Sequence, residues 1–201
     1  MATSFLSALT VRRTNYTITS KSPISDARIE EVIRECLLHT PSAWNSQSER
    51  ATIVLGEQNK KLWAIVSEKT LPGMPEELKA IMKQRMDGFA NSYGSVLFWE
   101  DQTVIDGLVQ KFPLFGPVVP VLGHNSAGML HGNVWTALAL EGLAASLQHH
   151  GANPVLAAAI QAEFGLPKTW TSTAIMPFGV AAQPAGEKAF GPIEQRLKVI
   201  N

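Results

Sequence analysis

Apolar residues recur at helical spacing in several stretches of the chain. The polar pair at residues 25–26 suits a helix start, and the helix it predicts ends at about Thr40, before Pro41. The same spacing predicts shorter helices over residues 5–9, 58–68, 75–89, 104–109 and 154–164. Residues 126–141 are apolar or small almost all round and predict a long helix. Such a helix is typical of the centre of a fold or of an interface.

Short apolar runs between these helices predict strands over residues 51–55, 94–99, 145–148 and 173–180. The run at 94–99 is apolar on consecutive positions, which indicates burial on both faces of a sheet. Several Pro and Gly residues over 111–123 predict an irregular segment. Because helices and strands interleave, we expect an α+β or α/β fold with a small sheet. The length favours one domain over 1–201, with a long tail at 183–201.

Composition narrows the class of protein. Charged residues make up only 17% of the chain, which leaves more apolar side chains on the surface. We therefore expect a large subunit interface that buries them. The net charge is zero, which argues against nucleic acid as the main partner. Cys36 is the only cysteine, so an internal disulfide is excluded and a reducing compartment is favoured. We find neither a signal peptide nor a membrane-length apolar run, so we expect a cytoplasmic protein, with the nucleus left open.

Arg12, Arg13 and Thr14 form the first candidate binding motif. Two adjacent guanidinium groups and a hydroxyl can bind a phosphate through charge-assisted hydrogen bonds. A second interpretation is a solvated helix end, where the helix dipole favours basic residues. The spacing alone leaves both interpretations open.

A polar stretch follows the second predicted helix, where residues 40–50 have the sequence TPSAWNSQSER. Asn and Gln side chains offer both a donor and an acceptor, which suits the edge of a heterocycle. Ser42, Asn45 and Gln47 are close enough in sequence to converge on one such edge. Turn chemistry and helix capping explain the same residues equally well.

Glu141, Gly142 and Leu143 follow the long predicted helix and begin the sequence EGLAASLQ, which ends at Gln148. A glycine with small neighbours lets the backbone approach a ligand ring closely. The alternative is a helix C-cap that leads into a strand. The five His residues lack the spacing of metal ligands, so no metal site is expected. Cys36 lies on an apolar helix face and is interpreted as a core thiol.

The order of these motifs resembles the nitroreductase family of FMN-dependent oxidoreductases. The resemblance runs from RRTxY through TPSAWNSQSER and EGLxASLQH to MPFG and a basic tail, and so covers nearly the whole chain. The closest likeness is to the fungal nitroreductase-like subgroup and its bacterial relatives induced by copper and other stress. It implies an α+β homodimer with a central, mostly antiparallel sheet packed by helices. It also implies two FMN molecules at the subunit interface and a C-terminal tail that wraps the partner.

The resemblance further implies roles for individual residues in FMN binding. It places the phosphate at the arginine motif and the flavin ring and ribityl chain at the polar stretch. It places the backbone of residues 141–143 near the N5 and O4 edge of the ring. The residues that these roles involve are Arg12, Arg13, Thr14, Ser42, Asn45, Gln47, Glu141, Gly142, Leu143, Gln148, Lys188 and Arg196. The chain departs from the family at Ala144, where many members have glycine, and at Gly191, where a basic residue usually precedes the tail proline.

The implied activity is ping-pong reduction of nitroaromatic, quinone or similar small acceptors by NADH or NADPH. No side chain is nominated as catalytic, because water can supply the protons. Trp44, Phe112 and Phe115 are candidates for an aromatic substrate pocket, with core or interface packing as the alternative. A different class of function stays open, a flavin-binding sensor in oxidative-stress or lipid signalling with slow turnover.

Overall fold

The computed structural model describes residues 2–200, apart from the side chains of residues 2, 3 and 152. Within this range the chain forms seven α-helices and four strands, and the α+β class is confirmed. The helices are α1 Ala2–Val11, α2 Asp26–His39, α3 Gly56–Thr70, α4 Glu76–Ala90, α5 Gln102–Lys111, α6 Val119–Leu140 and α7 Pro154–Phe164. The strands are β1 Glu49–Leu55, β2 Gly94–Asp101, β3 Ala144–Ala145 and β4 Trp170–Gly179.

The four strands form one antiparallel sheet in the order β1-β2-β4-β3. The predicted central antiparallel sheet is therefore confirmed. Strand β2 lies inside it, and its residues from Gly94 to Glu100 are all buried, as the consecutive apolar run indicated.

Side chains of β2 and β4 alternate between two hydrophobic cores, because successive residues of a strand point to opposite faces. Val96 and Phe98 pack with α2 and α6 on what we call the α6 face. Leu97 and Trp99 pack with α3, α4 and α7 on the α3 face. The sheet is thus covered by helices on both faces. No helix among residues 2–200 combines the length and the apolarity needed to cross a bilayer.

Local capping explains the helix boundaries that the sequence predicted best. The Ser25 hydroxyl accepts a hydrogen bond from the Arg28 N–H at 3.2 Å and starts α2. The Asn153 side chain accepts from the N–H groups of Val155 and Leu156 and starts α7. Gly165 has a left-handed φ of +62° and ends α7.

Several predicted boundaries were wrong, and two of them change the description of the chain. Helix α6 begins at Val119 and not at residue 126, so the irregular segment shrinks to residues 112–118. Pro120 lies in the first turn of α6, where its missing N–H removes no helical hydrogen bond. The strand predicted over 145–148 is also shorter, since β3 contains two residues and Gln148 makes a separate bridge to Ile175.

The segment after α1 runs beside the start of the C-terminal tail. The Thr19 N–H donates to the Val180 carbonyl at 2.8 Å, and the Ala182 N–H donates to the Thr17 carbonyl at 2.8 Å. Closer to α1, the Asn15 N–H donates to the Ala145 carbonyl of β3 at 3.1 Å. These bonds fix the Arg12–Arg13 pair between β3 and the tail.

Candidate functional site

The two arginines that follow α1 are both oriented by uncharged groups. The Arg12 guanidinium lies over the indole ring of Trp135, with its central carbon 4.4 Å from the ring centroid. Arg13 donates a hydrogen bond to the carbonyl oxygen of Gly186. Among residues 2–200, neither arginine has a carboxylate partner within salt-bridge distance. Their positive charges are therefore available to an anion from outside the chain.

A cavity of about 250 Å³ connects two of the predicted motifs. Arg13 lines it together with Gly142 and Leu143, and Asn15 and Ala181 complete the wall on the tail side. Arg12 instead lines a groove of about 790 Å³ between α1 and α6. The structure thus brings the arginine pair and the loop after α6 to one region. Thr14, which is exposed, bridges to Ala145 of β3.

The loop at residues 141–143 closes the end of α6. The N–H groups of Glu141, Gly142 and Leu143 donate to carbonyls in the last turn of the helix. Gly142 has a φ of +82°, which a glycine adopts without strain. The Glu141 carboxylate accepts a hydrogen bond from Arg28 at 2.5 Å. The helix C-cap interpretation is therefore realised in this chain, and contact of this loop with a flavin stays a prediction.

The polar stretch at residues 42–47 combines turn chemistry with an unusual backbone. The Ser42 hydroxyl accepts a hydrogen bond from the Gln47 N–H at 2.9 Å, as the turn interpretation requires. Trp44, Asn45 and Gln47 have φ values of +52°, +52° and +50°, in the left-handed region that favours glycine. Each such residue costs on the order of 1–3 kcal/mol, and residues of this kind cluster at binding sites. The stretch contains no glycine, and of these three residues only Asn45 is of a type enriched in this region.

The three predicted pocket aromatics come together at the surface. The Trp44 and Phe112 rings stack at a centroid distance of 4.8 Å and an angle of 16°, and Phe115 is tilted against Trp44 at 5.9 Å. Trp44 is 45% exposed, so core packing does not explain it. The Lys111 ammonium lies 5.3 Å from the Phe112 ring centroid, a contact that the sequence did not indicate. The arrangement offers a planar face on which an aromatic ring can stack.

The remaining predicted contacts are spread along the chain. Gln148 donates from its amide to the Ser146 hydroxyl at 2.8 Å, beside the edge of β4. Lys188 lies over the ring of Phe190 at 5.2 Å, and Arg196 donates to the Gly191 carbonyl at 3.1 Å. Both tail cations are exposed, and neither lines the cavity of Arg13. Their part in phosphate binding stays a prediction.

The sequence did not predict that two polar groups are buried on the α6 face. Glu100 is buried at the end of β2, and burial raises the pKa of its carboxyl group, opposed in part by His124 at 3.9 Å. His131 in α6 lies 3.1 Å from the Thr173 hydroxyl. Burial, with the charge of His149, lowers the pKa of His131 to about 4, so its ring is neutral at physiological pH. The only signal for Glu100 was an acidic residue directly after an apolar run.

Comparison with known proteins adds independent information. The family model described as the nitroreductase family matches residues 9–180. The Saccharomyces cerevisiae protein HBN1 is 33% identical over 199 residues, which cover 98% of this chain and 97% of HBN1.

Solved structures agree with the sequence matches. Nitroreductase CinD from Lactococcus lactis in complex with nicotinic acid is 36% identical, with a TM-score of 0.85 over 98% of this chain and 100% of CinD. CinD has also been solved with chloramphenicol and with 4-nitrophenol. A Desulfovibrio desulfuricans protein solved in complex with FMN shares the fold, at 18% identity and a TM-score of 0.70 over 98% of this chain and 96% of its own.

Proposed function

Because this chain belongs to the nitroreductase family of oxidoreductases, we propose that it is an FMN-dependent enzyme that uses NADH or NADPH to reduce small acceptors. The proposed acceptors are nitroaromatic compounds, quinones or similar electron acceptors. The observation that carries the proposal is the Arg12–Arg13 pair, which has no carboxylate partner among the described residues and lies beside the loop after α6. An FMN phosphate carries about two negative charges and matches this pair in charge.

The other predicted motifs fit the remaining parts of FMN by their chemistry. Asn45 and Gln47 are exposed and can offer amide donors and acceptors to the edge of the flavin ring. Ser42 orients this loop through its bond to the Gln47 backbone. When bound, FMN supplies the hydride chemistry, and the protein supplies binding and orientation. Lys188 and Arg196 are proposed to complete the phosphate contacts once the tail is in place, and Gln148 is proposed as a further contact on the flavin side.

The aromatic surface suits the proposed acceptors. A flat acceptor ring can stack on Trp44 and Phe112, while the nearby Lys111 favours acceptors that carry negative charge. The ligands solved with CinD are small molecules, and 4-nitrophenol is a nitroaromatic of the proposed class. The proposed order is ping-pong, so the nicotinamide donor leaves before the acceptor enters the same place. No side chain is required as an acid or base, because water supplies the protons.

We further propose a homodimer, in which one domain over 1–201 extends its tail to the partner. The single chain exposes large apolar side chains on α1, on α6 and along the tail, among them Phe5, Leu9, Leu140, Phe190 and Leu197. Phe5, Leu9 and Leu140 line one groove, and contiguous exposed apolar surface of this kind marks an interaction site. A second copy would cover it, as expected for an isologous dimer. The single Cys36 is consistent with the proposed cytoplasmic location.

The decisive experiment is an absorption spectrum of the purified protein, followed by anaerobic titration with NADH and NADPH. We expect a yellow protein that either donor bleaches, and a nitroaromatic or quinone should restore the colour faster than oxygen does. A colourless protein that takes up no added FMN would overturn the proposal. Bleaching only over hours, with no acceptor faster than oxygen, would instead support a flavin-binding sensor. Gel filtration should give twice the 21.8 kDa mass of one chain.

A further inference from the structure

Arg12 rests on the face of a tryptophan, and this contact has a consequence for phosphate binding. We propose that Trp135 is a positioning residue, whose indole ring holds the Arg12 guanidinium in the orientation that binds the FMN phosphate. The proposal rests on the proposed FMN function of the chain. It concerns a residue outside the arginine motif, the polar stretch and the loop after α6.

Trp135 connects two elements that meet at the groove. Arg12 is the first residue after α1, and its N–H still donates to the Ala8 carbonyl at 3.3 Å, so its backbone continues the helix. Trp135 lies in α6 and reaches the guanidinium from the other side of the α1–α6 contact, at 4.4 Å. Both ends of the contact are therefore anchored by helices, which limits how far the guanidinium can move.

The indole ring contacts Arg12 through its face and not through its N–H group. Its N–H is buried and has no hydrogen-bond partner among the described residues. Trp135 is half-buried and packs beside the hydrophobic core of the α6 face. The contact with Arg12 is therefore made by the π surface. A phenylalanine at this position would keep that kind of contact without losing an indole hydrogen bond.

A neutral partner suits a phosphate-binding arginine better than a carboxylate does. A carboxylate would occupy the N–H edge of the guanidinium and neutralise its charge, so an incoming phosphate would have to displace it. A π face attracts the cation from above and leaves the N–H edge open. The guanidinium is thereby restrained before the ligand arrives, which lowers the entropy lost on binding.

Arg13 is also restrained by an uncharged group, but through one of its N–H groups and from a different element. Its neutral partner is the Gly186 carbonyl in the tail. The tail is held there by the Asn15 amide, which donates to the Gln183 carbonyl at 2.7 Å. One guanidinium thus depends on α6 and the other on the tail. Removing the Trp135 ring should disturb the Arg12 contribution alone.

The competing explanation is that Trp135 only packs α1 against α6. The two explanations differ in which flavin they affect. A packing role changes the whole site, so binding of FMN and of riboflavin, which lacks the phosphate, would fall together. A positioning role acts through the phosphate, so FMN binding falls while riboflavin binding is kept. The ratio of the FMN affinity to the riboflavin affinity therefore separates the two explanations. General damage to the fold lowers both affinities and leaves their ratio unchanged.

The test measures the dissociation constants of FMN and riboflavin by flavin fluorescence for the wild type, Trp135→Leu and Trp135→Phe. We expect Trp135→Leu to lower the FMN-to-riboflavin affinity ratio about five-fold, the size typical of a cation–π contact. Trp135→Phe should lower the ratio by about two-fold or less, because a smaller π face remains. A matched control is Trp170→Leu, another half-buried tryptophan, which packs against Trp99 on the α3 face. That change should leave the ratio unaltered.

A double-mutant cycle adds a second readout. If Trp135 acts through Arg12, Trp135→Leu should lower the ratio no further in an Arg12→Gln background. Equal losses for both flavins, or additive effects in the cycle, would overturn the positioning role. A wild-type protein that binds neither flavin would instead reject the proposed function. If Trp135→Leu does not fold, Arg12→Gln still decides, because an unchanged ratio in that variant contradicts the proposal.

Discussion

The two faces of the sheet differ in how completely the chain itself covers them. On the α3 face, Leu62, Trp63, Val66, Phe89 and Ile160 are at most 1% exposed. On the α6 face, the inner side of α6 is equally buried, but its outer side and α1 present large apolar groups to solvent, with Leu140 62% exposed. The arginine pair and the strained stretch at 42–47 belong to this second region. The helices over the α3 face also expose single apolar groups, such as Ile81 in α4 at 57%. Because its core is closed by the chain itself, we call the α3 face the complete face. We call the α6 face, where exposed apolar groups lie with the arginine pair, the open face.

The two faces also differ in how their polar side chains are paired. Trp63 on the α3 face donates its indole N–H to the Ser95 hydroxyl at 3.0 Å, and Ser95 donates to the Asn59 side chain at 2.7 Å. This polar network is satisfied inside the chain. Among residues 2–200, the guanidinium groups of Arg12 and Arg13 have only neutral partners. We infer that the α3 face stabilises the fold and that the α6 face carries the function.

The largest expected effect tests stability on the complete face. Trp63→Ala removes a fully buried ring and leaves Ser95 without its donor, so it should lower the free energy of unfolding by about 3–5 kcal/mol. Urea denaturation measures this, and the loss should not depend on protein concentration. The matched change on the open face is Leu140→Ala. It should cost less than about 0.5 kcal/mol in dilute protein, and more where the proposed dimer is populated. If Trp63→Ala and Leu140→Ala lowered the free energy of unfolding equally at all protein concentrations, the proposed difference between the two faces would be wrong.

The second prediction concerns the charges on the open face. Arg12→Ala with Arg13→Ala should weaken FMN binding by about a hundred-fold or more, since each charge-assisted hydrogen bond contributes about 1.5–3 kcal/mol. Riboflavin binding should change little, and the free energy of unfolding should stay within about 1 kcal/mol of the wild type. Fluorescence titration and urea denaturation measure the two quantities. The control pair Lys188→Ala and Arg196→Ala shows whether the tail contributes to the phosphate site. Unchanged flavin content in the first variant would refute the phosphate assignment.

The third prediction uses a neutral histidine on each face. The pKa of His131 is lowered to about 4 by burial, and burial also lowers the pKa of His150, which lies beside Trp63. The unfolded state binds more protons than the folded state between the lowered pKa and the ordinary value near 6.5. Stability should therefore fall as the pH falls through this window, by on the order of 2 kcal/mol for His131.

Two substitutions assign this loss to a face. His131→Gln should flatten the pH dependence of the unfolding free energy between about pH 6.5 and pH 4. His150→Gln should remove a separate part of the same slope. Urea denaturation across the window provides the measurement. If the unfolding free energy of both variants has the same pH dependence as that of the wild type, neither histidine causes the loss of stability at low pH.

The sequence predicted local structure better than the site. Helices α2 and α7 were found because capping side chains and apolar spacing lie within a few residues of one another. The start of α6 was missed, because Pro120 suggests a break and yet fits a first helical turn. Trp44 and Phe112 are 68 positions apart, so their stacking depends on how α5 and α6 pack. Trp135 and Arg12 are also far apart in sequence, and no sequence motif indicates that they are in contact.

The smallest expected effect concerns the aromatic surface, which differs from the arginine pair in offering mainly ring faces. Trp44→Asn removes the ring and suits the left-handed backbone, whereas Trp44→Phe keeps a ring in the same conformation. An aromatic pair contributes about 0.5–1.5 kcal/mol, so the Asn variant should raise KM for a nitroaromatic acceptor about five-fold. The Phe variant should raise it less than about two-fold, and FMN affinity should be unchanged in both. If Trp44 instead packs against a second copy, KM will stay constant and gel filtration will show a weaker dimer. Steady-state kinetics combined with gel filtration therefore assigns Trp44 either to the substrate or to the subunit interface.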